Sequence, residues 1–188
     1  MTGSTKERIV AAAAALLDAG GQEAVTLRAV AEKVGISHNA PYRHFADRNA
    51  LLAGVAIDDF KTLADAFEAR AASRSASIAL HGAAQDFIEY GLMHAARYRL
   101  LFSDPCLPAT DELKSVAFAP FATLVAIVVR CQQEQILPAA DPIRLGGVLF
   151  SAIHGAIDLA IGGRASAAKG MDSALATVEL LLELLRPA

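Results

Sequence analysis

Tryptophan is absent from the 188 residues, aromatics together make up only 6%, and only 20% of positions are charged. With 41 alanines filling the space, little aromatic or β-branched material is left for sheets, and the composition predicts an all-α fold. At 54% hydrophobic residues the chain is too apolar for intrinsic disorder, and it is long enough for one packed core with a small extra module. Cysteine is equally scarce. Cys106 and Cys131 have no metal-ligand spacing, and with no signal peptide they read as two buried thiols of a cytoplasmic protein.

A strong charge of either sign is also missing. The first 50 residues carry six Lys/Arg against five Asp/Glu, and the remainder eleven against fifteen, for a net charge of −3. A protein that coats nucleic acid is far more basic, so any nucleic-acid contact has to be local to a small head. The longest apolar runs, 115–129 and 145–163, fall short of a membrane span. The first contains Pro120 between Lys114 and Arg130, and the second carries His154 and Asp158 near its middle.

Ser4-Thr5-Lys6-Glu7 is a capping-box pattern, followed by Ile9, Ala12, Ala13, Leu16 and Leu17 at helical spacing up to Gly20-Gly21. Thr26 caps a second short helix that Gly35 stops, and Ser37 is placed to cap a third. A long helix runs from Asp47 to about Arg70, and a polar linker covers 71–77. Further helices are expected at about 77–96, 98–103, 111–135, 142–162 and 172–186, making nine in all. The expected domains are a helix-turn-helix head, 1–46, and a body, 47–188.

Two short helices joined by Gly35-Ile36-Ser37 have the geometry of a helix-turn-helix. At 100° per residue, Pro41, Phe45, His38 and Tyr42 share the packing or flanking side, while Asn39, Ala40, Arg43 and His44 lie on the free side. Arg43 has the donor fork for a guanine edge, Asn39 suits adenine, and Ala40 suits a thymine methyl. Tyr42, His44 and Arg48, with the helix starts at Thr26 and Asp47, are placed for phosphates, and Arg28 and His38 complete the DNA-facing set.

These residues resemble the head of TetR-family repressors over 6–52: Arg8-Ile9, Val25-Thr26-Leu27, Val34-Gly35-Ile36-Ser37, Tyr42-Arg43-His44-Phe45 and Leu51-Leu52. The main departure is Ala40-Pro41, where many members have Gly-Thr or Thr-Leu. Ala95 to Phe102, with Arg97-Tyr98-Arg99-Leu100-Leu101-Phe102, resembles a stretch of the WHG-type TetR C-terminal domain. Phe150 to Gly155 resembles its Trp-x-x-x-His-Gly signature, with phenylalanine at the tryptophan. The resemblance implies a dimeric transcriptional regulator, usually a repressor, that binds a palindromic double-stranded operator and is released by a small-molecule inducer.

In the body, the helix at 142–162 is apolar nearly all round. Leu149, Ile153, Ile157 and Ile161, with Val178, Leu181 and Leu185 of the last helix, are the candidates for a two-fold four-helix contact. Phe60, Phe67, Phe87, Tyr90, Met93 and His94 lie on the helices that surround the pocket in TetR relatives, as do Phe102, Phe118 and Phe121. With His154 and Asp158 they are the candidate walls of an apolar or aromatic ligand site, the alternative being plain core. His154 and Asp158, one turn apart, fit a ligand anchor, half a metal site or a structural pair. No further metal ligands, nucleophile elbow or phosphate loop accompany them, so neither cofactor nor enzymatic activity is expected. Two other classes stay open: a helical small-molecule-binding protein without operator recognition, and a helical-bundle enzyme built on His154 and Asp158.

Overall fold

The computed structural model describes residues 3–103, 107–108 and 110–187, and among them every regular element is helical. Cys106 lies outside the described residues.

Eight α-helices follow one another: α1 (Thr5–Ala24), α2 (Leu27–Val34), α3 (Arg48–Ala71), α4 (Ala76–Met93), α5 (Ala95–Ser103), α6 (Asp111–Gln133), α7 (Pro142–Ile161) and α8 (Ala174–Leu184). Their starts carry the expected caps. The Ser4 hydroxyl accepts from Glu7 N–H at 3.2 Å while Ser4 N–H donates to the Glu7 carboxylate at 2.9 Å, closing a capping box. Thr26 accepts from Ala29 N–H at 3.0 Å, and Asp141 accepts from Arg144 N–H at 2.8 Å ahead of Pro142. Gly35 stops α2 at φ +74°, a conformation that a side chain resists. Gly20 and Gly21 break the helical path inside α1, after which one further turn runs to Ala24.

The ninth expected helix, opening at Ser37, is instead a turn followed by a single 3-10 helix, Pro41–Arg43. Proline has no N–H to return to the Ser37 carbonyl, which removes the first α-type bond of a helix opening there. The chain closes a tighter turn from Ala40 N–H to Ser37 O at 2.9 Å. A second 3-10 turn, Ala167–Lys169, precedes α8. Pro120 lies inside α6 without ending it.

The chain divides into two compact units. One comprises the residues up to 61 together with 94–117, and the other comprises 62–93 together with the residues from 118 onward. The chain therefore passes from unit to unit within α3, between α4 and α5, and within α6, whereas the sequence boundary at 46/47 falls just before α3. In the first unit α1 packs on α2 and α5 around Ile9, Ala13, Leu17, Val30, Leu51 and Leu100, all fully buried. In the second, α4 packs on α7 and α8 around Leu80, Ala83, Leu149, Ile157 and Val178. The α6 and α7 helices are long and apolar enough to cross a membrane by length and composition. Their inward residues, among them Ile127, Val128, Leu149 and Ile157, are core of the second unit.

Cys131 is buried, and its thiol hydrogen-bonds the Ala76 carbonyl at 3.4 Å. Burial, reinforced by Glu134, pushes its pKa up to about 11, so at neutral pH it is an unreactive thiol.

Candidate nucleic-acid interface

Two arginines fix the frame of the first unit by capping helix ends. The Arg8 guanidinium donates to the Val34 carbonyl in the last turn of α2 at 3.0 Å. That of Arg48 donates to the carbonyls of Val25, at 2.9 Å, and Gln22, at the end of α1. Nε and Nη2 of Arg48 are thus engaged with backbone oxygens, which competes with the phosphate role expected of it. Asp47 accepts from Ala50 N–H at 2.8 Å and opens α3, as its place in the sequence predicts.

Residues 37–45 are mounted on this frame by Pro41 and Phe45, both buried. The N–H groups of His44 and Phe45 both bond to the Pro41 carbonyl at 2.9 Å. The Phe45 ring is held tightly: a Cβ on Gly54 would stand 2.8 Å from Phe45 Cε1, so that position of α3 accepts only glycine without a shift of the ring. Lys6 Nζ lies 5.9 Å from the ring centroid.

With the anchors turned inward, His38, Asn39, Tyr42, Arg43 and His44 are exposed and Ala40 is half-buried. Tyr42 has 59% of its surface accessible, so it flanks the segment without packing under it. In a 3-10 turn residues three apart eclipse, which sets Ala40, the residue before the turn, with Arg43 along one edge. No acidic residue occurs between Ser37 and Ala46, so the projecting surface is neutral to cationic. Arg28, on α2, pairs with Glu32 at 3.2 Å in the open, a contact of little energetic weight that leaves it available to another anion.

The aromatic residues gather in two places. In the second unit Phe87 lies edge-on to Phe67 at 6.1 Å and to the His154 ring at 5.0 Å, while Phe150 lies 4.1 Å from His154 and 5.6 Å from Phe121. These are separations of packed rings. Burial pushes the His154 imidazole down to about 4 from its ordinary 6.5, with Asp158 pulling weakly the other way. In the first unit Phe102 packs on Phe60 at 5.5 Å and on Tyr98 at 5.2 Å.

Residues 9–55 match the sequence profile of the bacterial regulatory proteins, tetR family, and residues 80–185 match that of the tetracyclin repressor-like C-terminal domain. The chain belongs to the TetR family. Among solved structures it is similar to a protein of unknown function from Rhodococcus sp. RHA1, with 26% identity, a TM-score of 0.82, and 98% of this chain and 94% of that chain covered. It is also similar to the protein SCO4313, with 25% identity, a TM-score of 0.73, and coverages of 96% and 94%. The TetR-family transcriptional regulator PfmR of Thermus thermophilus shares the fold at 21% identity and a TM-score of 0.70, with 95% and 97% covered. No curated protein matches the sequence.

Within this TetR-family chain the residues expected to line one ligand site divide between the units. Phe67, Phe87, Phe121 and His154 come together, joined by Phe150, which only the resemblance to the tryptophan signature marks in the sequence. Tyr90 is half-buried on the same helix as Phe87. Phe60 and Phe102 belong to the other unit. His94 does too, and it bonds to Asp18 at 2.9 Å. Met93 and Phe118 are exposed at 75% and 61%, and Asp158 is exposed as well. Of the residues expected at a dimer contact, Leu149, Ile153, Ile157 and Val178 are buried in their own subunit. Ile161, Leu181 and Leu185 are half-buried. No pattern in the sequence marks Arg8 as a clamp, because its partner is a backbone carbonyl 26 residues away.

Proposed function

We propose that this TetR-family regulator binds a palindromic DNA operator as a homodimer in the cytoplasm and acts as a repressor released by a small apolar or aromatic effector, with no enzymatic activity. The observation that carries this reading is the exposed row Asn39, Tyr42, Arg43 and His44, held on a frame locked by Pro41, Phe45 and two arginine clamps. Arg43 reads a guanine edge and Asn39 an adjacent base, while Tyr42, His44 and the amide groups at the start of α2 hold phosphates.

The dimer face is formed by the residues that flank the buried stripe of α7 and α8. Val148, Ser151 and Gly155 recur on one exposed side of α7, and Leu180 and Leu184, 54% and 75% accessible, form an apolar strip on α8. Nothing lies within 4 Å of where a Cβ on Gly147 or Gly155 would stand, so the subunit itself does not require glycine there. A partner helix approaching closely supplies a reason. The effector site is the cluster around Phe87, Phe121, Phe150 and His154, entered by displacing packed rings.

Two substitutions test the assignment of the head. Arg43→Ala is expected to cost about 1–3 kcal/mol on a specific duplex, relax base preference at one position per half-site, and leave binding to random DNA nearly unchanged. Arg48→Ala is expected to lower stability by roughly 1.5–3 kcal/mol, the weight of hydrogen bonds from a charged donor, while the salt dependence of DNA binding keeps its slope. Competition binding at several salt concentrations, with thermal melts, measures both. Equal losses of Arg43→Ala on specific and random duplexes refute its base-reading role, and a flattened salt slope for Arg48→Ala restores the phosphate role.

A further inference from the structure

We infer that the cleft between α1 and the end of α2 is a binding site of its own, one that takes a small amphiphilic carboxylate: a short apolar chain or ring ending in an acid group. The cleft lies wholly inside the first unit, has a volume of about 280 Å³, and is lined by Arg8, Ala11, Ala12 and Ala15 of α1 with Lys33 and Val34 of α2. That volume is at the small end of ligand clefts, so it suits one chain or ring and excludes a two-tailed lipid. The aromatic cluster proposed above for the effector belongs to the second unit, and this inference does not depend on it.

The sequence accounts for the cleft. Arg8, Ala11, Ala12 and Ala15 recur at helical spacing along one side of α1, and the three methyl groups leave open the room that larger side chains would fill beside α2. Its only charged residues are Arg8, half-buried, and Lys33, exposed. Neither forms an ion pair with a described residue. Among the described residues Arg8 bonds only to the Val34 carbonyl, through Nη2 at 3.0 Å, so the guanidinium keeps N–H groups for a carboxylate without giving up its hold on α2. An apolar cleft with two uncompensated cations complements a ligand that has both parts. The chain leaves water against the alanines while the acid group meets Arg8 and Lys33. A neutral hydrocarbon leaves the cations unmatched, and a compact inorganic anion leaves the apolar wall wet.

The test uses the full-length protein and octanoate, kept below the concentration at which it forms micelles, with octanol and octylamine as probes of the same chain length. Titration calorimetry gives the affinities, and thermal melting reports whether each variant is folded. Octanoate is expected to bind at least about tenfold more tightly than octanol, the difference made by charge-assisted hydrogen bonds, and octylamine is expected not to bind measurably. Ala15→Leu exchanges one good helix former for another at an exposed position and fills the cleft, so it should weaken octanoate at least about tenfold without lowering the melting temperature. Lys33→Gln should weaken octanoate about twofold to fivefold and leave octanol unaffected.

Octanoate that does not bind, or that binds no better than octanol, overturns the inference. So does an affinity untouched by Ala15→Leu, and if Phe121→Ala lowers that affinity the probe sits in the aromatic cluster of the second unit. Should Ala15→Leu fail to fold, the comparison of octanoate with octanol in wild type and in Lys33→Gln decides between the same outcomes. If Lys33→Gln leaves octanoate binding alone and flattens the salt dependence of binding to DNA, the cations of the cleft serve phosphates and the inference fails.

Discussion

Charges placed on the outer face of α7 and α8 are expected to convert the protein to monomers and to lower its affinity for a palindromic site by about 10²–10⁴-fold, because the second head then binds without the benefit of the first. The variant is Val148→Asp with Leu184→Asp. Both side chains are more than half accessible, so an aspartate at either position is solvated in the monomer and the helices remain folded. In a symmetric interface each substitution occurs twice, and four carboxylates would be buried together without partners. Light scattering with circular dichroism should report a monomer of undiminished helicity, and the remaining DNA binding should match that of an isolated head. Ile157→Asp is the contrasting control. At 0% accessibility it buries an unpaired charge inside one subunit and should unfold the body outright. If Val148→Asp with Leu184→Asp stays dimeric, the outer face of these helices is not the contact.

Acid should destabilise the protein through His154. Its folded pKa is depressed to about 4 by burial among Phe87 and Phe150, while in the unfolded chain the imidazole titrates near its ordinary 6.5. Between those values the unfolded state binds a proton that the folded state does not. Stability therefore rises with pH across this window, is fully present above about 6.5, and falls as pH drops toward 4. The gap between the two values corresponds to roughly 3 kcal/mol of lost stability once both forms are protonated. Denaturant unfolding at a series of pH values measures it, and His154→Gln should remove that part of the pH dependence. A wild-type curve that is flat from about pH 7 to 5, or one that His154→Gln does not alter, contradicts a neutral buried imidazole. The same experiment bears on the effector, because a neutral imidazole among phenylalanines accommodates an apolar ligand without a charge to compensate.

The helices are legible in the sequence wherever local chemistry decides them. Ser4-x-x-Glu7, Thr26, Asp141-Pro142 and Gly35 each act within a few residues, and each stands where the pattern places it. The third helix is replaced by a turn and a short 3-10 helix at Pro41, whose missing N–H removes one bond from the first turn of the expected helix. The exposure of Asn39, Arg43 and His44 is legible because a short segment with two buried anchors, Pro41 and Phe45, turns its other side outward, whereas His38 and Tyr42, expected on the packing or flanking side, are exposed as well. What stays hidden depends on distance along the chain. The backbone partners of Arg48 stay unseen because a charge at a helix start says nothing of the carbonyls of Gln22 and Val25. The ion cluster of Arg97 with Asp18 and Asp59 joins residues up to 79 positions apart, and neither periodicity nor a motif signals it. The dimer candidates lie on helices whose predicted stripe is largely covered by its own subunit, since an all-round apolar helix does not reveal which side that subunit covers.

Selection of bound duplexes from a random-sequence library, followed by protection mapping of the enriched site, tests whether the chain reads a palindrome as a dimer. A TetR-family dimer with reading segments at Asn39–His44 should enrich a two-fold symmetric site and protect two half-sites separated by about one helical turn, or a multiple of it, with two chains bound. Enrichment of no sequence, or of an asymmetric site occupied by a single chain, would contradict it.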